Sequence, residues 1–428
     1  MNDTVRKFGG KMTELVRSEH PVAARKTLAL VFRAYGDAVR FSSGGELLPA
    51  RRYVMGFCNK KMAASIARPE RAAVVSLFTP CEIFEALGIP VMVPEGLSCY
   101  MTASGCDRVF LEKAEECGVP ETLCSYHKML IGMAETGVLP KPRMIVNTTM
   151  VCDANQLSFR YLAEYFDVPH LVLDVPDACS AGNIRYLSDQ LRSMKDFVEK
   201  HSGRALDEGK FRRTMLRASE TLENYRRCLS LKSVRYESIR MTYHMMDALA
   251  LHPFLGTEEG LKYTEMLKKQ LARLPLLQPG EKRRSRILWV HMMPYWQDSI
   301  SDMFRYHADA EVVCCDVTFD NYSVLDPEQP YESLARQMLQ NSLNGPSERR
   351  IRRVLKLAQK MEIDGIVYFC HWGCKQTLGA SAMAKEAFER AGFPTLVLDG
   401  DGCDTRNVQD GQMMTRMGAF LEQLEALR

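Results

Sequence analysis

The fold is decided by residues 143–174, which read RMIVNTTMVCDANQLSFRYLAEYFDVPHLVLD. Residues 143–147 form a short apolar run typical of a buried strand, residues 155–166 have the apolar spacing of a helix, and residues 170–174 form a second apolar run. A strand, a helix and a strand in this order predict a βαβ unit, in which the two strands are parallel and the helix packs on their sheet.

The same order of elements occurs upstream of this stretch. Residues 72–78 are predicted to form a strand that ends at Thr79 and Pro80, and residues 82–87 a helix that Gly88 ends. Residues 89–93 are the next predicted strand, with residues 94–96 as its turn. These segments add a second βαβ unit to the first half of the chain.

A third unit lies in residues 365–399, which read GIVYFCHWGCKQTLGASAMAKEAFERAGFPTLVLD. Residues 365–369 and 395–399 are predicted strands, and residues 380–391 a helix. This unit and residues 143–174 share Ile-Val in the first strand, a cysteine in the following loop and a final Pro-x-Leu-Val-Leu-Asp. Buried strands resemble one another by chance, but the shared pattern and cysteine favour duplication. We therefore predict an α/β protein with two doubly wound, Rossmann- or flavodoxin-like parallel-sheet domains and extra N-terminal and central helices.

The predicted domains are an N-terminal helical segment (1–70), a first α/β domain (71–280) and a second α/β domain (285–428). A charged stretch with helical spacing, residues 184–273, is predicted as a helical insertion in the first domain. A coiled coil is the alternative, but no strict heptad persists over three repeats, so we favour separate helices that pack across to the second domain. Residues 274–286, with two prolines and a basic cluster, are the predicted linker.

Composition excludes several classes of protein. The chain has 428 residues, 46% hydrophobic and 25% charged, as in a soluble globular protein of two or three domains. Lys plus Arg number 56 and Asp plus Glu 53, and the resulting charge of +3 does not indicate nucleic-acid binding. The sequence contains no apolar run of about 18 residues, and its N-terminus is rich in charge. We expect neither a membrane span nor a secretory signal, and a cytoplasmic location.

Cysteine is unusually frequent, with fourteen residues. A disulfide framework is not expected because the cytosol keeps thiols reduced, and we expect about ten to be small buried hydrophobes. Cys152 and Cys374 lie in predicted strand-to-helix loops, and Cys124 lies at the start of a helix predicted to end near Gly132. A helix N-terminus favours a thiolate, so these three are the candidates for chemistry. Cys370 is an alternative to Cys374, although the duplication favours Cys374.

Several readings of these cysteines remain open at this point. Zinc at Cys370 and Cys374 with His371 lacks a second ligand pair. A radical S-adenosylmethionine enzyme needs its three cysteines in one short loop, which this sequence does not have. A nucleophilic cysteine assisted by His127 or His371 has no supporting spacing. Three scattered cysteines that meet between two α/β domains suit an iron–sulfur cluster with one non-cysteine position.

Five short segments, in order along residues 79–422, carry a family resemblance: TPCEIFEALGIP (79–90), CS (124–125), NTTMVCD (147–153), HWGCK (371–375) and the tail from LDGD (398–401) to FLE (420–422). On these segments the sequence resembles the 2-hydroxyacyl-CoA dehydratase family, which also includes subunits of ATP-dependent benzoyl-CoA reductase. The resemblance implies a [4Fe-4S] cluster with three cysteine ligands and an open fourth iron. The implied ligands are Cys124, Cys152 and Cys374. Ser125 is implied to hydrogen-bond a ligand on the open iron, and His127 and His371 to be donors beside it.

The resemblance also implies an activity and partners. The implied reaction is a lyase reaction: one electron converts a 2-hydroxyacyl-CoA thioester to a ketyl radical, which loses the 2-hydroxyl and then a β-proton. The implied partners are a homologous subunit, forming a heterodimer, and a separate ATP-hydrolysing iron–sulfur activator that works anaerobically. No G-x-x-x-x-G-K-[ST] motif occurs in this chain, which agrees with a separate ATPase. The alternatives are a benzoyl-CoA reductase-like or other low-potential reductase subunit, and a non-catalytic iron–sulfur electron-transfer or accessory protein; binding of a 2-hydroxyacyl-CoA separates the last from the dehydratase.

Overall fold

The structure is a computed structural model that describes residues 3–42, 47–237, 239–277, 284–304, 309–320 and 324–427. The strands in these residues are β1 (Ala73–Val75), β2 (Val91–Met92), β3 (Met144–Thr148), β4 (His170–Leu173), β5 (Ser285–Val290), β6 (Ala310–Cys315), β7 (Gly365–His371) and β8 (Thr395–Gly400). The α-helices are α1 (Asp3–Arg17), α2 (Pro21–Phe41), α3 (Pro49–Ala67), α4 (Glu82–Leu87), α5 (Pro94–Ala103), α6 (Asp107–Glu116), α7 (Ser125–Glu135), α8 (Asp153–Phe166), α9 (Ala181–Ser202), α10 (Glu208–Lys232), α11 (Met245–Leu251), α12 (Glu258–Leu271), α13 (Asp298–Met303), α14 (Pro330–Gln340), α15 (Ser347–Lys360), α16 (Lys375–Arg390) and α17 (Asp410–Ala426).

The strands form two four-stranded sheets, with the orders β2-β1-β3-β4 and β6-β5-β7-β8. Every pairing of neighbouring strands is parallel. If the strands of each half are numbered from one, both sheets have the order 2-1-3-4. The flavodoxin-like order begins in the same way. The predicted α/β class with two parallel sheets of related topology is therefore confirmed.

Both faces of each sheet are covered, as parallel sheets require. In the first sheet, Val74 and Ile145 point into one hydrophobic cluster, while Val75 and Val146 point into another. The second of these clusters continues into the other sheet, where it includes Leu288 of β5. The two sheets therefore share one continuous apolar layer between them.

The predicted βαβ units are present, but one predicted turn is wrong. Residues 94–96 were expected to form a turn because a proline follows a strand; they instead begin helix α5. Pro94 occupies the first turn of this helix, where a missing N–H costs nothing and the fixed φ angle suits helical backbone. The strand β6 and the helices of the second half between residues 298 and 360 have no counterpart in the sequence-based predictions.

The charged stretch at 184–273 folds as separate helices rather than as a coiled coil. α9 packs against β4 of the first sheet and against α14 of the second half, and α10 packs against α4 and α12. The domain boundaries at 70 and 280 stay a prediction, and residues 278–283 of the predicted linker lie outside the described residues. In the described part of the chain, no helix is both long and apolar enough to cross a bilayer.

A buried ionic cluster fixes the N-terminal helices to the central ones. Arg51 of α3 binds both carboxylate oxygens of Glu237 at 2.7 and 2.9 Å and donates to Asp247 of α11 at 2.6 Å. Tyr225 of α10 donates to the same Asp247 at 2.6 Å. These side chains are almost fully buried, so losing one partner would leave an uncompensated charge inside the protein.

Candidate functional site

A cavity of about 520 Å³ lies between the two sheets. Its walls include Phe78, which follows β1, Cys152, which follows β3, His291, which follows β5, and His371 at the end of β7. In the first sheet β2 lies on one side of β1 and β3 on the other, and in the second sheet β6 and β7 flank β5 in the same way. The strand order therefore reverses between β1 and β3 and between β5 and β7, and ligands bind beyond the carboxyl ends of the strands at such a point. Both of these ligand-binding positions open into the same cavity.

The three predicted cysteines line this cavity, and each is the residue that caps a helix N-terminus. Cys124 precedes α7, Cys152 precedes α8 and Cys374 precedes α16. Unpaired backbone N–H groups and the positive end of the helix dipole favour negative charge at such positions. Three helix N-termini, each with a cysteine, thus converge on one cavity.

Without a metal, the thiols of Cys124 and Cys152 stay protonated. Burial raises the pKa of the Cys124 thiol well above its ordinary value, and the charges of Cys152 and Cys374 raise it further. Burial raises the pKa of Cys152 to about 11, and Cys374 adds to this shift. The thiolates of Cys124 and Cys152 are therefore disfavoured by burial and by neighbouring thiolates, and a bound metal would relieve both costs, since thiolate metal ligands lose their protons on binding.

His371 donates a hydrogen bond to Cys124. The backbone N–H of Gly402 donates to Nδ1 of His371 at 3.0 Å, so the ring carries its proton on Nε2. Nε2 lies 3.2 Å from Sγ of Cys124. Burial lowers the pKa of His371, against the pull of Asp401, so the ring is neutral and presents a fixed N–H to the sulfur.

His127 is a second neutral ring at the cavity wall. Its Nδ1 lies 2.8 Å from the hydroxyl of Ser158, and its Nε2 lies 3.8 Å from Sγ of Cys152. Burial lowers the pKa of His127 to about 3, with a smaller contribution from His371. The imidazole is therefore uncharged at neutral pH and acts as a hydrogen-bonding group rather than as a cation.

Ser125 lies next to the cavity wall but does not line it. It is fully buried, and its hydroxyl donates to the carboxylate of Asp401. The same Asp401 oxygen accepts the backbone N–H groups of Cys403 and Asp404, each at 2.9 Å. In this structure Ser125 fastens the first turn of α7, and with it Cys124, to the loop that follows β8.

The residue before each strand-following cysteine has a left-handed backbone. Val151, before Cys152, has φ 91°, and Gly373, before Cys374, has φ 75°. A Cβ on Gly373 would lie 2.6 Å from the backbone nitrogen of Cys124, a distance that real Cβ atoms do not adopt. Gly373 therefore lets the Cys374 loop reach the start of α7.

Cys370 is not part of the cavity wall. The strand β7 continues through Cys370 to His371, so these two neighbours point to opposite faces of the sheet. Cys370 lies in the apolar layer, with Sγ 4.0 Å from the carbonyl oxygen of Thr377. In the residues that the structure describes, no three His, Cys, Asp or Glu side chains form a group suited to one metal ion, so the zinc reading has no support.

The donor set suits a cluster better than a single ion. Thiolate sulfur is the preferred ligand of iron–sulfur clusters, and in a [4Fe-4S] cluster each cysteine binds a different iron, which keeps the sulfurs apart. Three thiols at three helix N-termini, an N–H aimed at one sulfur and a cavity of about 520 Å³ match that requirement. The residues present therefore fit the group that the sequence resemblance implies.

Glu95 is a wall residue that the sequence reasoning missed. It is the second residue of α5, and its Oε1 accepts the backbone N–H of Leu77 at 3.3 Å. Its Oε2 is buried and has no hydrogen-bond partner. Burial raises the pKa of Glu95 to about 7. Reading Pro94 as a helix start would have placed an acidic residue at the carboxyl end of β2.

The fold and the cavity define a two-sheet α/β protein that brings three cysteines together where its two ligand-binding positions face each other. A profile of the family described as 2-hydroxyglutaryl-CoA dehydratase, D-component, matches residues 76–424. The chain belongs to this family, which confirms the resemblance drawn from the five sequence segments.

Three curated relatives are similar over most of this chain. The (R)-phenyllactyl-CoA dehydratase alpha subunit of Clostridium sporogenes is 23% identical, over 81% of this chain and 88% of the relative. The lactoyl-CoA dehydratase subunit alpha of Anaerotignum propionicum is 21% identical, over 87% and 95%. The (R)-2-hydroxyglutaryl-CoA dehydratase subunit alpha of Acidaminococcus fermentans is 22% identical, over 67% and 61%. The acyl groups in these names differ, so similarity to the relatives leaves the substrate of this chain open.

Proposed function

We propose that this chain is a subunit of a 2-hydroxyacyl-CoA dehydratase, a lyase that removes water from C2 and C3 of a 2-hydroxyacyl-CoA and leaves an enoyl-CoA. The observation that carries the proposal is the convergence of Cys124, Cys152 and Cys374, each at a helix N-terminus, on one cavity between two sheets. Family membership and the three relatives, all named as dehydratase subunits, support the same reaction.

The proposed cofactor is a [4Fe-4S] cluster held by these three cysteines. Among the described residues of the cavity wall, the cysteines are these three, so one iron would keep a position for water or substrate. A bound cluster would supply a low-potential electron to the thioester carbonyl, which makes the 2-hydroxyl a leaving group and the β-hydrogen acidic. Cys370 is not in the proposed ligand set because it lies in the apolar layer.

The protein's own groups prepare the site for this chemistry. The Nε2–H of His371 and the N–H groups at three helix starts stabilise negative charge on the sulfurs. His127, neutral and at the cavity wall, is the side chain that we assign to hydrogen-bonding of the substrate. Ser125 acts by positioning, because its bond to Asp401 fixes the turn that carries Cys124.

The proposed partners follow from the same family. The relatives are alpha subunits by name, so we propose that this chain pairs with a homologous subunit. We further propose that a separate ATP-hydrolysing iron–sulfur protein delivers the electron, since this sequence has no P-loop motif of its own. The cytoplasm, where reductants and acyl-CoA are found, is the proposed location.

The test is reconstitution under argon. The chain, its sister subunit, the activator, ATP and a reductant together should convert a 2-hydroxyacyl-CoA to the enoyl-CoA, and conversion should stop when any one of them is withheld. Cys124→Ser should abolish conversion, whereas Cys58→Ser, at a cysteine buried away from the cavity wall, should keep it. Turnover by the chain alone in air would contradict the proposal. If the assembled enzyme reduces an aromatic or enoyl thioester and does not dehydrate a 2-hydroxyacyl-CoA, the chain is a reductase subunit and the dehydratase proposal is wrong.

A further inference from the structure

A smaller apolar chamber adjoins the main cavity. It has a volume of about 30 Å³ and shares Leu77, Glu95 and Met292 with the wall of the main cavity. Its remaining wall is largely apolar and includes Tyr100, Met245, Met246 and Leu249. A space of this size holds a few carbon atoms.

The chamber offers no counter-charge to an acidic ligand. Among its described wall residues there is no lysine, arginine or histidine, and Glu95 belongs to the wall that it shares with the main cavity. A carboxylate that entered would be desolvated beside another carboxyl group, and burial of an unpaired charge is strongly unfavourable. An apolar side chain would gain free energy from the same transfer, because its surface is removed from water.

Glu95 carries an oxygen without a partner at this junction. Oε1 is held by the backbone N–H of Leu77 at 3.3 Å, while Oε2 is buried and unpaired. Buried carboxyl oxygens are nearly always hydrogen-bonded, so Oε2, which itself has almost no accessible surface, is an exception in a side chain that the walls of both spaces share. With its raised pKa of about 7, this carboxyl is able both to accept and to release a proton near neutral pH.

We propose that the chamber receives the acyl side chain of the substrate, that this chain therefore acts on 2-hydroxyacyl-CoA thioesters with short apolar side chains, and that the carboxylate of Glu95 accepts the proton that leaves C3. The inference rests on the proposed dehydratase function. In the elimination, the C2–O bond breaks and the hydroxyl leaves, the C3–H bond breaks and its proton passes to Glu95, and a C2–C3 double bond forms. The proton and hydroxide leave as water, so the overall reaction needs no net oxidant or reductant.

The geometry links the two parts of the proposal. A thioester carbonyl that lies among the three cysteines must direct C3 and its substituent away from the sulfurs. Glu95 belongs to the walls of both the chamber and the main cavity, so C3 of a substrate whose side chain occupies the chamber would lie near that carboxyl group. The same residue thus borders both the proposed side-chain site and the cavity that would hold the thioester.

Binding to the cluster-free, full-length chain tests the substrate class by calorimetry. Lactoyl-CoA should bind at least tenfold more tightly than 2-hydroxyglutaryl-CoA. The affinity of each thioester is also compared with the affinity of free CoA. Equal or tighter binding of 2-hydroxyglutaryl-CoA would overturn the chamber assignment and leave the dehydratase proposal standing. If no acyl-CoA binds more tightly than CoA itself, the proposed function fails instead.

Gly96→Ala tests whether the acyl side chain occupies the chamber. A Cβ on Gly96 would meet Leu249 at 3.5 Å and Met62 at 3.7 Å, which are ordinary contacts, so the variant should fold and take space from the chamber. It should weaken binding of 2-hydroxybutanoyl-CoA at least fivefold more than binding of lactoyl-CoA. The matched control is Gly418→Ala in α17, where a Cβ meets nothing within 4 Å. Equal effects of Gly96→Ala on both thioesters would overturn the assignment.

Glu95→Gln tests the proton acceptor in the assembled enzyme. Turnover should fall at least 100-fold while the affinity of the cluster-free chain for lactoyl-CoA changes less than threefold, and Glu95→Asp should recover part of the rate. The control is Glu82→Gln, since burial also raises the pKa of Glu82 to about 7 and its Oε2 is also unpaired, but it lines a different cavity. Full turnover by Glu95→Gln, or an equal loss in Glu82→Gln, would overturn the role of Glu95.

Discussion

The loop after β3 and the loop after β7 follow one plan and differ at one position. In each, the third strand of a sheet leads through a residue with left-handed backbone to a cysteine that caps the next helix. The first loop uses Val151 there, and the second uses Gly373. Both turns need a residue with left-handed backbone, whatever its side chain. Only the second turn also excludes a side chain, because the backbone of Cys124 lies against Gly373.

The two sheets also differ in the acidic residue beyond their second strands. Glu95, after β2, has an unpaired oxygen at the cavity wall. Asp316, directly after β6, accepts from Arg350 at 2.7 Å and from the backbone N–H of His291 at 2.7 Å. One acidic group thus keeps an unpaired buried oxygen, whereas both oxygens of the other are hydrogen-bonded within the protein.

The strongest test of the loop comparison exchanges its two residues. Gly373→Val should push the Cys374 loop away from Cys124, so that iron reconstitution falls from about four irons per chain to less than one. Val151→Gly should keep the iron, because relief of about 1–3 kcal/mol of backbone strain offsets the lost packing and the added chain entropy. Iron content and thermal unfolding of both variants measure this. Full iron in Gly373→Val would break the comparison.

The paired acid should matter more for stability than the unpaired one. Asp316→Asn leaves Arg350, which is 5% exposed, without its charge partner, so the free energy of unfolding should fall by about 3–5 kcal/mol. Urea denaturation at pH 7 measures this change. A loss below 1 kcal/mol would show that Asp316 does not hold the second half as its contacts imply.

Glu95→Gln, unlike Asp316→Asn, should raise the free energy of unfolding, and it should do so only at higher pH. The pKa of Glu95 is raised from 4.5 to about 7, so the folded protein binds the proton more tightly than the unfolded chain. Wild-type stability should therefore fall as pH rises from about 4.5 to 7, by up to ~3 kcal/mol, and the neutral glutamine removes this loss. Denaturation at pH 5 and pH 8 compares the two proteins. A variant that is no more stable than the wild type at pH 8 would contradict the burial of this carboxyl group.

The smallest expected effect separates the two histidines. His371 lies 3.2 Å from the sulfur of Cys124, whereas His127 lies 3.8 Å from the sulfur of Cys152. N–H donors to cluster sulfurs stabilise the reduced state, so His371→Leu should lower the cluster's potential by tens of millivolts and His127→Leu by less. A redox titration followed by electron paramagnetic resonance measures both shifts. The reverse order would contradict the assigned hydrogen bond.

Much of the fold was predictable from the sequence because the strands of a parallel sheet are continuous apolar runs. The unit at residues 143–174 was predicted to within two residues at each end of its strands and helix. The start of α5 was missed because Pro94 fits both a turn and the first turn of a helix, and local sequence does not separate these. The strand β6 was missed although its six residues are mostly apolar, so its length does not explain the omission.

The site was predictable only in part, since its contacts join distant parts of the chain. Cys124 and His371 are 247 residues apart, so their hydrogen bond has no local signal. The choice between Cys370 and Cys374 depends on β7 continuing to His371, whereas the sequence placed its end at residue 369. The unpaired oxygen of Glu95 is a property of packing and cannot be read from any motif.

The most direct test of the central claim is iron content, with Mössbauer spectra, in anaerobically reconstituted Cys374→Ser and Cys370→Ser. These cysteines are four residues apart, yet one lines the cavity and the other lies in the apolar layer. We expect about four irons per chain as a [4Fe-4S] cluster in the wild type and in Cys370→Ser, and a marked loss in Cys374→Ser, as in Cys124→Ser and Cys152→Ser. Full iron in all three cavity variants, or loss in Cys370→Ser alone, would contradict it.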